Sequence, residues 1–187
     1  ARLAGVASRP AEMQVLAGGP LAGNWDSAPT TVDEWRKLSA PGAGRNLSTL
    51  RERLGVKTEA LTVNGVNAFM VTPLNIPAEN RNRLLVHMHG GCYVLQGGEA
   101  ATSEAIYMAG FGHFRVLSVD YRRPPDAPYP AALDDGIAAW KAALKMADPK
   151  NMAIFGTSAG GALTLSMVLR AKQENLPLPA AIAPGTP

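Results

Sequence analysis

Met152-Ala153-Ile154-Phe155-Gly156-Thr157-Ser158-Ala159-Gly160-Gly161 is the stretch on which the fold turns. The apolar run from Met152 to Phe155 predicts a buried strand, and Ala162-Leu163-Thr164-Leu165-Ser166-Met167-Val168-Leu169 predicts a buried helix. Between them lies Gly156-x-Ser158-x-Gly160. A strand, a sharp turn and a helix around that spacing form the setting of a nucleophile elbow. Glycines without a Cβ let strand and helix come close and let the backbone take a strained turn. The bend would hold the Ser158 hydroxyl clear of the sheet. The N-terminus of the helix would aim free N–H groups at any negative charge that develops there. The same spacing also arises in plain loops, so the flanking strand and helix are what give it weight.

Composition narrows the classes. The chain has 187 residues, 47% hydrophobic and 18% charged, enough for one globular domain with a core of its own. A net charge of +3 without a dense Lys/Arg block argues against a nucleic-acid surface. No apolar run reaches the length of a membrane span. The single cysteine, Cys92, cannot form an internal disulfide, which fits a reducing, cytoplasmic setting. The numbered chain opens on Ala1 and not Met, and no signal-peptide pattern is recognised at that end.

Working toward the N-terminus, Arg115 to Asp120 predicts another strand, and the proline-rich bend from Asp120 to Pro130 leads into a helix with Pro130 in its first turn. Leu133, Ile137, Trp140 and Leu144 give that helix one apolar face, and Asp148-Pro149 stops it. Residues 100 to 111 predict a helix, and Leu84 to Met88 a buried strand. That strand runs into His89-Gly90-Gly91-Cys92-Tyr93. Glycines there allow either a tight turn or a loop that aims N–H groups at an oxyanion. Ala60 to Val63 and Val66 to Val71, joined by Asn64-Gly65, predict a β-hairpin. After the elbow, Ala180 to Ala183 opens a further strand. From residue 84 onward strands and helices alternate, which implies an α/β fold with a mostly parallel sheet and helices on both faces.

Residues 1–55 are broken by Gly18-Gly19-Pro20, Ala28-Pro29 and Pro41-Gly42-Ala43-Gly44. Helices are expected from about Thr31 to Leu38, capped by Thr30 or Thr31, and from Asn46 to Leu54. Trp25, Trp35, Leu38, Leu50 and Leu54 offer apolar handles. This segment either merely covers the core or forms an N-terminal cap that walls a substrate pocket. Residues 56–187 would then be the N-terminal portion of the catalytic domain.

Three motifs taken together, His89-Gly90-Gly91-Cys92-Tyr93, Asp120-Tyr121-Arg122 with Pro128-Tyr129-Pro130-Ala131-Ala132-Leu133-Asp134-Asp135, and Gly156-Thr157-Ser158-Ala159-Gly160-Gly161, resemble the bacterial hormone-sensitive-lipase-like family of serine esterases. The likeness covers roughly residues 60 to 183. It implies the α/β-hydrolase fold, hydrolysis of short-chain carboxylic esters through an acyl-enzyme, and no metal or organic cofactor. It makes Ser158 the nucleophile. It assigns the oxyanion hole to the N–H groups of Gly91, Cys92 and Ala159, with Gly90 shaping the turn. Cys92 departs from the usual third glycine, yet it keeps an N–H and adds a thiol near the chemistry. His89 is expected to anchor its loop, and Asp134 and Asp135 to brace the fold.

In this fold the triad runs Ser, then Asp or Glu, then His along the chain. His87, His89 and His113 all precede Ser158, and Glu174 alone among the acids follows it. The acid and base are therefore expected beyond residue 187, in a complementing C-terminal portion of the same protein. Cut after Ile182, a parallel sheet would leave an open edge and uncovered helix faces, so the 187-residue piece alone is expected to aggregate or bind its complement. The partners expected are a small-molecule ester, that complement and, from the family likeness, a homodimer. A non-catalytic binding protein on the same fold, or an amidase or lactonase using the same serine, stays open from the sequence.

Overall fold

The structure, a computed structural model, describes residues 28–39 and 47–187. Trp25, Gly18-Gly19-Pro20 and Pro41-Gly42-Ala43-Gly44 lie outside the described residues. Residues 31–187 make up one compact unit.

That unit opens with α1 (Val32–Ser39) and α2 (Leu47–Leu54). A capping box starts α1: the Thr31 hydroxyl accepts the Glu34 N–H at 3.2 Å, and the Glu34 carboxylate accepts the Thr31 N–H at 3.0 Å. Strands β1 (Val56–Val63) and β2 (Val66–Pro73) form the hairpin. Its turn has φ of 47° at Asn64 and 84° at Gly65, the left-handed pair that two-residue hairpin loops need. Then follow β3 (Leu84–Met88), α3 (Ser103–Gly112), β4 (Arg115–Val119), α4 (Ala131–Ala143), β5 (Met152–Thr157), α5 (Ala159–Gln173) and β6 (Ala181–Gly185).

The six strands form one sheet in the order β1-β2-β4-β3-β5-β6. The hairpin pairs antiparallel, β2 joins β4 antiparallel, and every other pairing is parallel. β3 lies at the centre, with Leu84–Met88 in register with Arg115–Val119 on one side and Met152–Gly156 on the other. Side chains on these strands alternate between two cores. Leu84, Val86, Met88, Leu117 and Val119 pack with Ile137, Trp140, Leu163 and Met167 of α4 and α5. Val116 and Phe155 pack instead with Ala105, Ile106 and Ala109 of α3 and Leu47 of α2, with Leu50 and Leu54 against them. The period of two in the strands thus puts helices on both faces, as the alternation implied. It also shows α2 covering the α3 face of the core.

Two local expectations shift. Pro130 holds the N-cap position and α4 begins at Ala131, one residue beyond the expected first-turn proline. Helix α5 begins at Ala159, so Gly160 and Gly161 belong to its first turn rather than to the bend before it. At the β6 side apolar groups stay uncovered: Leu165, Leu169 and Ile182 are exposed, as are Tyr107 and Phe111 on α3, with Phe111 at 73%.

Candidate active site

Parallel strands β3, β4 and β5 all end at one edge of the sheet, where ligand sites of open α/β sheets lie. Three connections meet there: the loop after β3, the bend after β4, and the β5–α5 turn. Ser158 forms that turn with φ 58° and ψ −122°, a conformation sparsely occupied by residues with a side chain. Such strain persists only where the surroundings over-determine it. Here they do. A Cβ on Gly160 would lie 1.9 Å from the Met88 carbonyl oxygen, and one on Gly156 would lie 2.2 Å from the same atom. A Cβ on Gly161 would come within 2.5 Å of the Gly185 oxygen. The start of α5 is therefore pressed onto the ends of β3 and β6, a fit only glycine permits. The Ser158 N–H donates to the Gly185 oxygen at 2.9 Å, and the Ser158 carbonyl accepts the Ala162 N–H at 3.0 Å. Ser158 itself is exposed, and Ala159 is buried as the first helical residue. The N–H groups of that first turn have no acceptor within the helix.

The loop after β3 passes directly over this turn. A Cβ on Gly90 would lie 2.8 Å from the Thr157 oxygen and 3.6 Å from the Ser158 Cβ. Gly91, Cys92 and Tyr93 then take φ of 106°, 54° and 62°. For Cys92 and Tyr93 this left-handed region costs on the order of 1–2 kcal/mol each. The loop closes on itself through Leu95 N–H and Val94 N–H, which donate to the Gly91 oxygen at 2.8 and 3.0 Å.

Its ends are held by residues just after β4. His89 is buried, its Nδ1–H donates to the Gly90 oxygen at 2.7 Å, and its ring stacks on Tyr121. The Tyr121 hydroxyl donates to the His89 oxygen at 2.7 Å. Burial pushes the His89 imidazole down to about 3, so it is neutral at ordinary pH, and the same cause pushes the Tyr121 phenol up. At the loop's far end, Gly98 N–H donates to Asp120 Oδ1 at 3.0 Å, and Arg123 donates to the same oxygen at 2.8 Å. His89 thus anchors the loop, as its sequence context suggested.

Asp135 is buried and accepts both the Arg122 N–H, at 2.8 Å, and the Arg122 guanidinium. Asp134 accepts from Arg170 at 2.6 Å. Both brace the bend and helices, and neither turns to the serine. Glu174 bonds Lys141 at 2.7 Å and Arg170 at 2.9 Å. It lies beyond the far end of the 15-residue α5, about 24 Å along the helix from Ser158. Cys92 is free and exposed. Among the described residues, no group of three His, Cys, Asp or Glu side chains could hold a metal ion, and no helix is long and apolar enough to cross a membrane. An apolar cavity of about 400 Å³ lies between Tyr93, the bend at Pro124 to Pro130, and Leu163 and Ser166 of α5.

Residues 85–187 match the family described by the alpha/beta hydrolase fold. The chain belongs to the α/β-hydrolase family. Among its relatives is an acetyl-hydrolase of Streptomyces hygroscopicus, 33% identical over 106 residues, which are 56% of this chain and 36% of that protein. The versiconal hemiacetal acetate esterase of Aspergillus parasiticus is 29% identical over 171 residues, 84% of this chain and 54% of that protein. The crystal structure of an esterase, E25, superposes with a TM-score of 0.76 at 38% identity, over 82% of this chain and 48% of that one. An esterase described as bacterial hormone-sensitive-lipase family superposes with a TM-score of 0.59 at 28% identity, so the resemblance carried by the three motifs holds. The chain spans between about a third and a half of the length of these relatives. Within this α/β-hydrolase the sequence reading missed one polar group near the elbow, Glu104 of α3 joined to His87 of β3. An ionisable residue inside an apolar strand, as in Leu84-Leu85-Val86-His87-Met88, was the signal that could have pointed to it.

Proposed function

We propose that the protein is a carboxylic-ester hydrolase in which Ser158 is the nucleophile. The observation that carries this reading is the strained, exposed Ser158 at the β5–α5 turn with Gly90 of the preceding loop against its Cβ. Ser158 Oγ attacks the ester carbonyl, and the N–H groups of Gly91, Cys92 and Ala159 receive the negative charge on the carbonyl oxygen. Gly90 shapes the approach. Collapse of the tetrahedral intermediate releases the alcohol and leaves an acyl-serine, which water hydrolyses.

The general base and its orienting acid come from a portion of the protein beyond residue 187. Two facts support this. His87 has both ring nitrogens engaged by Ser118 and Glu104, and His89 is buried at the root of its loop with Nδ1 on the Gly90 oxygen and its ring stacked on Tyr121. The uncovered apolar groups flanking β6 offer a face for such a complement to cover. The 400 Å³ apolar cavity beside Tyr93 suits a substrate group of modest size, in keeping with short acyl esters. An exposed, unpaired Cys92 is at home in a reducing, cytoplasmic compartment.

The test is Ser158→Ala in the full-length protein. It should abolish hydrolysis of 4-nitrophenyl butyrate and labelling by a fluorophosphonate, which reacts only with an activated serine. Retained turnover would place the nucleophile elsewhere, and a wild-type protein that resists the probe would favour a binding protein on a hydrolase fold.

A further inference from the structure

Both feet of the loop that carries the proposed oxyanion donors stand on one stretch, Asp120 to Arg123, just after β4. The first foot is His89, whose carbonyl takes the Tyr121 hydroxyl at 2.7 Å. The second is Gly97-Gly98, where the Gly98 N–H donates to Asp120 Oδ1 at 3.0 Å. One side chain joins the two. Arg123 Nη1 donates to Asp120 Oδ1 and to the Tyr121 carbonyl, each at 2.8 Å. Its Nη2 lies against Gly97, where an added Cβ would sit 1.8 Å from that nitrogen. Gly97 has φ −75° and ψ 161°, a conformation open to any residue, so the guanidinium and not the backbone is what crowds a side chain there. Arg123 and Asp120 are largely buried, with 14% and 16% of their side chains exposed, and Arg123 Nε is buried without a partner. A desolvated ion pair with one N–H unmet is poorly explained by stability alone.

The second foot reaches the donors through backbone contacts. Leu95, two residues before Gly97, gives its N–H to the Gly91 oxygen at 2.8 Å, and a Cβ on Gly91 would lie 2.7 Å from the Leu95 oxygen. Gly91, at φ 106°, is thus seated on the stretch that ends at Gly97. One residue earlier, Gly90 sits against the serine, its missing Cβ 3.6 Å from the Ser158 Cβ. We propose that Arg123 is a positioning residue: by tying the Asp120 carboxylate, the Tyr121 carbonyl and Gly97 into one clamp, it fixes the Gly91 and Cys92 N–H groups relative to the Ser158 hydroxyl. The inference rests on the proposed roles of Ser158 and of those N–H groups. Losing an oxyanion donor outright costs about 100- to 1,000-fold in rate. Loosening the loop while its donors remain is expected to cost about 10-fold.

The test uses the full-length protein with Arg123→Ala, Gly97→Ala and the double variant Gly97→Ala/Arg123→Ala. Fluorophosphonate titration counts active sites, and kcat and KM for 4-nitrophenyl butyrate are expressed per titrated site. Arg123→Ala should lower kcat about 10-fold with KM within about twofold. It should weaken inhibition by an alkyl trifluoromethyl ketone, whose adduct with the serine carries an oxyanion, by a similar factor. Gly97→Ala should do the same, because its methyl displaces the guanidinium. In the double variant the methyl meets no guanidinium, so activity should match that of Arg123→Ala alone. Unchanged kcat per site in Arg123→Ala, a fall in kcat with inhibitor affinity intact, or losses that multiply in the double variant would overturn the proposal and leave Arg123 a structural partner of Asp120. If Arg123→Ala fails to fold, Gly97→Ala decides alone: an unchanged kcat overturns the idea. Failure of the nucleophile assignment looks different, because Ser158→Ala would then keep its activity whatever the Arg123 variants do.

Discussion

The rings of His89 and Tyr121 lie nearly parallel, 7° apart in plane and 4.0 Å apart at their centroids, at the root of the loop that carries Gly90, Gly91 and Cys92. The contact is closed by the Tyr121 hydroxyl on the His89 carbonyl. It joins the first residue after β3 to one just beyond β4, and so it orients the N–H groups proposed for the oxyanion. Tyr121→Phe removes only the hydroxyl. It leaves a buried carbonyl short of a donor, which costs about 1–3 kcal/mol. The expected result is a lower melting temperature together with a reduced kcat in the full-length protein, and an unchanged kcat would separate this bond from the loop's function.

His89 also gives the protein a pH dependence. Its imidazole ionises near 6.5 when exposed and near 3 when folded, because burial opposes the charge. Above 6.5 both states are neutral and the histidine has no effect on the balance. As pH falls below 6.5 the unfolded chain binds a proton that the folded one refuses. Stability from this group is then lost at up to about 1.4 kcal/mol per pH unit, down to about pH 3. Denaturant titrations of wild type and His89→Gln between pH 7 and 4 should show a shallower slope in the variant. Parallel slopes would contradict a buried neutral histidine.

The elbow glycines differ sharply from the hairpin glycine. An Ala at position 160 would drive its Cβ to 1.9 Å from the Met88 oxygen, a backbone atom that cannot turn aside. The cost exceeds the roughly 1–3 kcal/mol typical of overpacking. Gly65 has nothing within 4 Å of its missing Cβ and only its φ of 84° to lose. Gly65→Ala should cost about 1 kcal/mol. Thermal melts of both variants check the order, and equal losses would mean that the α5 start has room the structure does not show.

Much of this was readable beforehand, for definable reasons. Asn64-Gly65 specifies its turn because two consecutive left-handed residues suit few other pairs. Leu84 to Met88 and Met152 to Phe155 announce themselves as central strands because both of their faces are buried. Ser158 stood out because glycines at fixed offsets mark a forced bend. What escaped was information held between elements. Glu104 meets His87 only after β3 pairs with β4 and α3 folds back across the sheet. Nothing local to Ser103-Glu104-Ala105 signals that meeting. The placement of α5 was misread by three residues for a related reason: Gly160 and Gly161 look like turn residues locally, and only the neighbouring Met88 and Gly185 oxygens show why a helix needs them.

Asp135 carries a larger share of the bend's stability than its salt-bridge partner. It is 3% exposed and accepts the Arg122 backbone N–H as well as the guanidinium, whereas the Arg122 side chain is largely in solvent. Asp135→Ala strips an acceptor from a main-chain donor and should cost about 1.5–3 kcal/mol. Arg122→Ala leaves the main-chain bond in place and should cost clearly less, since exposed ion pairs contribute little. Chemical denaturation of the two variants ranks them. A larger loss from Arg122→Ala would shift the weight to the ion pair.

Cys92 tests whether the loop works through its backbone or its side chain. At φ 54° a cysteine is held at a cost of about 1–2 kcal/mol that glycine escapes. Glycine loses about 0.5–1 kcal/mol more chain entropy on folding. Cys92→Gly should therefore be slightly more stable than wild type, by up to about 1.5 kcal/mol, the difference of those two terms. It should also hydrolyse esters normally, because the N–H remains. The exposed thiol makes the complementary experiment possible. Iodoacetamide would attach bulk beside the proposed oxyanion donors and should inactivate wild type while leaving Cys92→Gly untouched. A variant that loses activity more than about 10-fold would show that the sulfur itself takes part, since a retained backbone donor should spare the rate.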